Sequence, residues 1–139
     1  MSKILGIDYG QKRTGLAITD AARIIASPLI TVETSRLFDS LKNLVQKEKI
    51  VAFVVGIAKH ADGQASDTTR MQYQFCERLK KEFPNVPLHE VDEMFTSKMA
   101  SQALVMGGMK KSDRREKGNL DKVSAAIILQ SFLDYSPMK

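Results

Sequence analysis

Short apolar runs open the chain. Ile4 to Asp8, Thr14 to Thr19 and Ile24 to Val32 are rich in β-branched residues and separated by short polar segments. That pattern predicts three strands in an antiparallel meander. Pro28 falls inside the third run, so that strand should be an edge strand or a bulged one. The period then changes. Leu37, Leu41 and Leu44 recur at helical spacing, with Phe38 and Val45 beside them, and predict a helix over 36–48. Thr34 or Ser35 would be its N-cap. Ile50 to Val55 is unbroken apolar sequence, the mark of a strand buried on both faces, and it should end at Gly56. A polar, glycine-containing loop over 57–64 follows. Met71, Phe75, Cys76, Leu79 and Phe83 stripe a second helix over 66–83, closed by Pro84 and Pro87. Val86 to Val91 is the next strand and ends in Asp92-Glu93. Thr96 or Ser97 would cap a third helix, running to Met106 and stopped by Gly107-Gly108. Residues 109–118 have no apolar period and read as a basic loop. Asn119 would then cap a last helix whose Leu120, Val123, Ile127 and Leu129 lie on its buried side.

Antiparallel strands come first and strand–helix alternation follows. The expected architecture is therefore α/β, with a five-stranded mixed sheet (three antiparallel strands, then parallel ones) and helices on both faces. One domain over 1–139 is the expectation for a chain of 139 residues.

Composition narrows the chemistry. The chain is 43% hydrophobic and 27% charged, as in a globular protein. Its 21 Lys+Arg against 16 Asp+Glu leave a net charge of +5, compatible with a polyanionic partner. One cysteine excludes an internal disulfide and a Cys-rich zinc site, and two histidines argue against a His-rich one. Any metal should be held by carboxylates, which favours Mg or Mn. No apolar run reaches ~18 residues and the N-terminus shows no signal pattern, so a soluble cytoplasmic protein is expected.

Carboxylates also carry the most informative pattern. Asp8 and Asp92 or Glu93 lie at the C-terminal ends of predicted strands, the end that lines the functional crevice of parallel α/β sheets. Asp121 lies near the start of the last helix. Three such acids brought together repel one another, and a divalent cation would offset that cost. Two ions about 4 Å apart can activate water and stabilise the leaving oxygen of a phosphodiester. The competing readings are structural: Asp8 as a turn former, Asp121 as a helix-dipole partner, Lys12 and Arg13 as solvated turn residues, and the 110–117 basic run as a solvated loop. Asp92 and Glu93 point in opposite directions if the strand reaches them, so one at most faces the site. Cys76 belongs on a core stripe, and His60 has no evident catalytic partner. Gly6, Gly10 and Gly15 do not form a dinucleotide-binding fingerprint, because no helix follows them.

Leu5-Gly-Ile-Asp-Tyr-Gly-Gln-Lys-Arg-Thr-Gly-Leu-Ala-Ile-Thr-Asp20 resembles the opening signature of the YqgF/RuvX family. The resemblance continues at Val54-Val-Gly56 with Asp62-Gly63, at Asp92-Glu93 with Thr96 and Ala100, and at Asp121-Lys-Val-Ser-Ala-Ala-Ile-Ile-Leu-Gln130. It implies a ribonuclease H-like fold and metal-dependent hydrolysis of a nucleic-acid phosphodiester, in maturation of the 5′ end of pre-16S rRNA during ribosome biogenesis. Asp8, Glu93 and Asp121 fall on the family's acids and are the implied catalytic residues and ligands of Mg or Mn, with two ions expected. Lys12, Arg13, Lys110, Lys111, Arg114 and Arg115 are the candidate substrate contacts. Met94 stands where the family usually has Arg, so a phosphate-holding role there would pass to Lys12, Arg13 or Lys98, or be lost. Lys59-His-Ala-Asp62 replaces a loop that more often begins with Pro.

The expected partners are an rRNA precursor, ahead of branched DNA, and ribosomal particles; no membrane is expected, and the protein should be a monomer or a homodimer. Two alternatives remain on the same fold: a Holliday junction resolvase acting on branched DNA, and a non-catalytic RNA-binding assembly factor. A four-way junction would demand a symmetric dimer to cut two strands. An actin-like phosphotransferase also begins with an Asp-bearing strand, but such enzymes enclose ATP between two domains.

Overall fold

The computed structural model describes residues 2–20, 22, 25–58, 67–92 and 117–135, with side-chain environments in the last segment given for 121–134. Five strands form one sheet: β1 (Lys3–Asp8), β2 (Arg13–Thr19), β3 (Ala26–Glu33), β4 (Ile50–Ile57) and β5 (Leu88–Asp92). Their spatial order is β3-β2-β1-β4-β5. β1 pairs antiparallel with β2, and β2 antiparallel with β3. β4 is parallel to both β1 and β5. The expected mixed sheet is therefore present, its antiparallel half first in sequence.

Pro28 has both predicted consequences. β3 is an edge strand, and its register against β2 shifts between Leu16 and Ala17, which face Ile30 and Pro28. The bulged residue is thus Leu29, next to the proline that cannot donate to a ladder.

The helices are α1 (Leu37–Glu48), α2 (Asp67–Glu82) and α3 (Lys117–Tyr135). Alternation along the strands sorts the core into two layers. Leu5 and Ile7 of β1, Leu16 of β2 and Phe53, Val55 and Ile57 of β4 pack against Leu37 and Leu41 of α1 and Phe75, Cys76 and Leu79 of α2. On the other face Ile4, Ala17, Ala52 and Val54 pack against Ala125, Ala126, Ile128, Leu129 and Phe132 of α3. Helices thus cover both faces, and β4, an interior strand between β1 and β5, is buried along nearly its whole length. Cys76 is a core residue, as its stripe predicted, and burial pushes its thiol up to about 11.

Several boundaries move. A 3-10 turn over Thr34–Arg36 precedes α1, Arg36 stands at the N-cap, and no side chain caps the helix. Neither Thr34 nor Ser35 is the cap, because Thr34 directs its hydroxyl to the Gly10 carbonyl, 2.7 Å away. β4 continues through Gly56 to Ile57, held by pairing of Gly56 with Val91 and Ile57 with Asp92. α3 begins at Lys117, so Lys117 and Gly118 are helical rather than part of a loop, and Asn119 lies inside the helix instead of capping it. Val123, Ile127 and Leu129 of α3 are buried as expected, and Ala125, which the periodicity did not single out, joins Leu129 over Gly6. The predicted helix over 96–106 and the basic loop over 109–116 lie outside the described residues. Among the described residues, no helix is long and apolar enough to cross a membrane.

Candidate active site

β1 ends at Asp8 on the same sheet edge as the C-terminal ends of β4 and β5, because these three strands run parallel. Ile4 and Gly6 of β1 face α3, and the two-residue period puts Asp8 on that face as well. Directly across the ladder from Asp8 is Gly15 of β2. The main chain of α3 rests on Gly15: a Cβ added there would strike the Asp121 carbonyl and stand 2.7 Å from the Lys122 nitrogen. Asp121 therefore stands over the strand position next to Asp8. Farther along, a Cβ at Gly6 would come within 2.7 Å of the Leu129 Cβ and 2.9 Å of the Ala125 carbonyl. Asp121, Ala125 and Leu129 are spaced i, i+4, i+8, so one stripe of α3 lies along the two glycines and delivers Asp121 to the strand end that carries Asp8.

Arg13, the first residue of β2, reaches the same place. Its Nε donates to Asp121 Oδ2 at 3.1 Å. The guanidinium is 41% exposed and the carboxylate 30%, so the pair is accessible to water and contributes at most about 1 kcal/mol. The preceding turn is tightly built. Tyr9 turns to the opposite face and stacks on Phe75, centroids 4.4 Å apart. A Cβ at Gly10 would collide with the Arg13 carbonyl, so only glycine lets the turn close. Thr34 clasps it from outside: its hydroxyl donates to the Gly10 carbonyl and lies 2.9 Å from the Thr14 hydroxyl, and its main-chain nitrogen donates to the Lys12 carbonyl at 3.0 Å. Lys12 itself is exposed.

The exit of β4 at this edge is held as firmly. Buried Gln72 of α2 accepts a hydrogen bond from the Ala58 nitrogen at 2.7 Å, and the Thr69 hydroxyl donates to the Ala58 carbonyl.

β5 separates the two adjacent acids. His89 lies against the Phe132 ring and Val91 packs in the α3 layer, whereas Leu88 packs in the α1/α2 layer. Asp92 has the parity of Leu88 and so belongs to the face away from Asp8 and Asp121. The structure therefore brings together Asp8, Asp121 and Arg13, with Lys12 nearby, and leaves Asp92 on the other side of the sheet. Glu93, Lys110, Lys111, Arg114 and Arg115 lie outside the described residues, as do His60, Asp62 and Met94. Among the described residues, no three metal-ligating side chains cluster. Sequence reasoning missed Thr34 as a clasp and Gly15 as the seat of α3.

A family model described as RuvX, Holliday junction resolvase, matches residues 2–135. The chain belongs to the RuvX family. RuvX relatives named "Putative pre-16S rRNA nuclease" include one from Phocaeicola vulgatus, 47% identical over 96% of both chains. Another, from Amoebophilus asiaticus, is 48% identical over 96% of this chain and 94% of its own. Among solved structures, Thermus thermophilus RuvC in complex with a Holliday junction substrate superimposes with a TM-score of 0.62 at 16% identity, covering 96% of this chain and 95% of that one. The yeast mitochondrial Holliday junction resolvase Ydc2 gives 0.58 at 15% identity, covering 95% and 78%. At that identity the likeness is one of fold: the RuvX sheet and its flanking helices form a ribonuclease H-like fold.

Proposed function

We propose that this RuvX protein is a divalent-metal-dependent nuclease that hydrolyses phosphodiesters of pre-16S rRNA in the cytoplasm, acting as a single ribonuclease H-like domain over 1–139. The observation that carries the reading is the meeting of Asp8 and Asp121 across Gly15, on one face of the sheet and at the strand ends where such folds place their chemistry. The names of the RuvX relatives supply the substrate class.

The donor set fits a hard cation. Asp8 and Asp121 offer carboxylate oxygens, and the guanidinium drawn to Asp121 marks negative charge at that point. Asp8, Asp121 and Glu93 would hold Mg or Mn, two ions by this reading; the parity of Asp92 leaves Glu93 as the acid of that pair. When bound, the metal supplies activation of water and neutralisation of charge developing on the phosphoryl group. The chain's own residues position the reaction. Tyr9 and Thr34 fix the main chain of the turn that follows Asp8. Lys12 and Arg13 stand at the mouth of the site to meet the phosphate backbone. Lys110, Lys111, Arg114 and Arg115 would extend that contact along the strand.

The test is cleavage of an RNA fragment spanning the 5′ end of 16S rRNA with added Mn, comparing wild type with Asp8→Asn. Loss of cleavage with retained RNA binding is expected of the variant. Equal cleavage by both proteins removes Asp8 from the catalytic set. Salt-dependent RNA binding by wild type with no cleavage at any Mn concentration favours a non-catalytic assembly factor instead.

A further inference from the structure

Arg13 has a choice of acids and takes the distant one. Its cross-strand partner on β3 is Glu33, directly opposite and on the same face. Its Nε nonetheless bonds Asp121, 108 residues away in sequence. The base of the side chain is fixed, because the Thr34 nitrogen holds the Lys12 carbonyl at 3.0 Å and the Gly10 turn closes on the Arg13 carbonyl. The tip is held less firmly: the guanidinium is 41% exposed and, among the described residues, is held only through Nε to one carboxylate oxygen. This is a rigid arm with a swinging head, resting on a residue that the proposed function assigns to the metal.

We propose that Arg13 is an exchangeable counter-ion: it neutralises Asp121 before the cation arrives, and cation binding displaces it onto a substrate phosphate. The inference rests on the metal site proposed above. Two physical facts carry it. An exposed ion pair is weak enough for a divalent ion to displace. A guanidinium released beside that ion is repelled by it and attracted by the phosphate arriving at the same place, where its remaining N–H groups can bind. Arg13 would thus couple the order of events, so that the phosphate contact forms only when the metal is in position.

The experiment has two readouts besides activity. Calorimetric titration of Mn into the RNA-free protein compares wild type, Arg13→Gln, Arg13→Lys and Asp121→Asn. Arg13→Gln should bind Mn about two- to fivefold more tightly, since an exposed pair contributes up to about 1 kcal/mol. Arg13→Lys, which keeps the charge, should stay within about twofold of wild type. Asp121→Asn should lose most of the affinity. If Asp121→Asn binds Mn like wild type, the metal assignment itself fails. If Asp121→Asn fails to bind while Arg13→Gln is unchanged or weaker, the metal site stands and the counter-ion proposal falls. The second readout is the salt dependence of RNA binding. With Ca in place of Mn, Arg13→Gln should lose about 0.7 from the slope of log K against log salt, the loss of one phosphate contact on a single strand. In EDTA its slope should equal that of wild type. An equal loss in both conditions means that Arg13 touches phosphate regardless of the cation, and overturns the exchange.

Discussion

Gly15→Ala tests the geometry on which the candidate active site depends. One methyl group is added, on the face where α3 rests. It meets the Asp121 carbonyl and the Lys122 nitrogen, the latter 2.7 Å from the new carbon. Both are main-chain atoms, so no side chain can rotate away. Ordinary contact needs about 3.4–3.5 Å, so the Lys122 nitrogen alone demands a retreat of roughly 0.7 Å, and the closer Asp121 carbonyl demands more. Overpacking of this kind costs about 1–3 kcal/mol. For a chain of this size that is a fall in Tm of roughly 3–12 °C, measurable by calorimetry. The functional effect should be larger than the stability effect. A displacement approaching 1 Å between groups that act together costs on the order of a hundredfold in rate, so Mn-dependent RNA cleavage should fall by about that factor at temperatures where the variant is fully folded. Gly6→Ala is the control. It pushes on Ala125 and Leu129, one and two turns from Asp121, and should lower Tm comparably while disturbing cleavage less. If Gly15→Ala keeps both wild-type Tm and wild-type cleavage, α3 does not seat on Gly15 and the meeting of Asp8 with Asp121 is wrong.

Other variants probe the surroundings. Thr34→Val keeps shape and removes the hydroxyl that donates to Gly10, so chemical denaturation should show a loss of about 1–2 kcal/mol, recovered in Thr34→Ser. Cys76, held neutral by burial, should resist alkylation at pH 8 until the protein unfolds. Its pKa is raised on folding from 9.0 to about 11, so that contribution to stability is complete below about pH 9 and is lost as pH climbs towards 11; Cys76→Ala should flatten this part of the stability–pH curve. Lys3 Nζ lies 2.9 Å from Glu48 Oε1 and holds that carboxyl below its ordinary value. Its contribution is present above the ordinary carboxylate pKa and lost as pH falls through the lowered one, so Lys3→Met should weaken the acid-side slope of a thermal denaturation series. Lys49 ends α1 in a left-handed conformation at φ 52°, and Lys49→Gly should raise stability by up to about 1 kcal/mol.

Much of the scaffold could be read directly from the chain, because period and residue type report burial. The three opening strands, the doubly buried β4 and the stripe of α2 each follow from a local repeat that tertiary packing then respects. Pro28 announced its edge strand for a covalent reason, the missing N–H. What could not be read depends on contacts between distant segments. A hydroxyl just before a helix looks like a cap, and nothing local reveals that Thr34 has a better partner in Gly10, 24 residues back. Gly15 looks like any glycine in a strand until a helix more than a hundred residues later is laid on it. Arg13 beside Lys12 looks like a solvated turn, and its attachment to Asp121 appears only when β2 and α3 are packed.

The pair Asp92-Glu93 shows how a sheet can decide what spacing leaves open. Both acids follow the same strand, and a chain read residue by residue gives no reason to prefer one. Register supplies the reason. Ile57 pairs with Asp92, and Ile57 sits in the α1/α2 layer with Leu88, while Val54 and Val91 lie in the α3 layer. Asp92 is thereby committed to the face opposite Asp8, and a one-residue slip of β5 would have to move Val91 out of the core to bring it round. The burial of two apolar side chains thus selects against one carboxylate on chemical grounds that have nothing to do with metal. Asp92→Asn should accordingly leave Mn affinity within about twofold of wild type, whereas Glu93→Gln should reduce it by an order of magnitude or more, and the reverse result in a calorimetric titration would refute the parity argument.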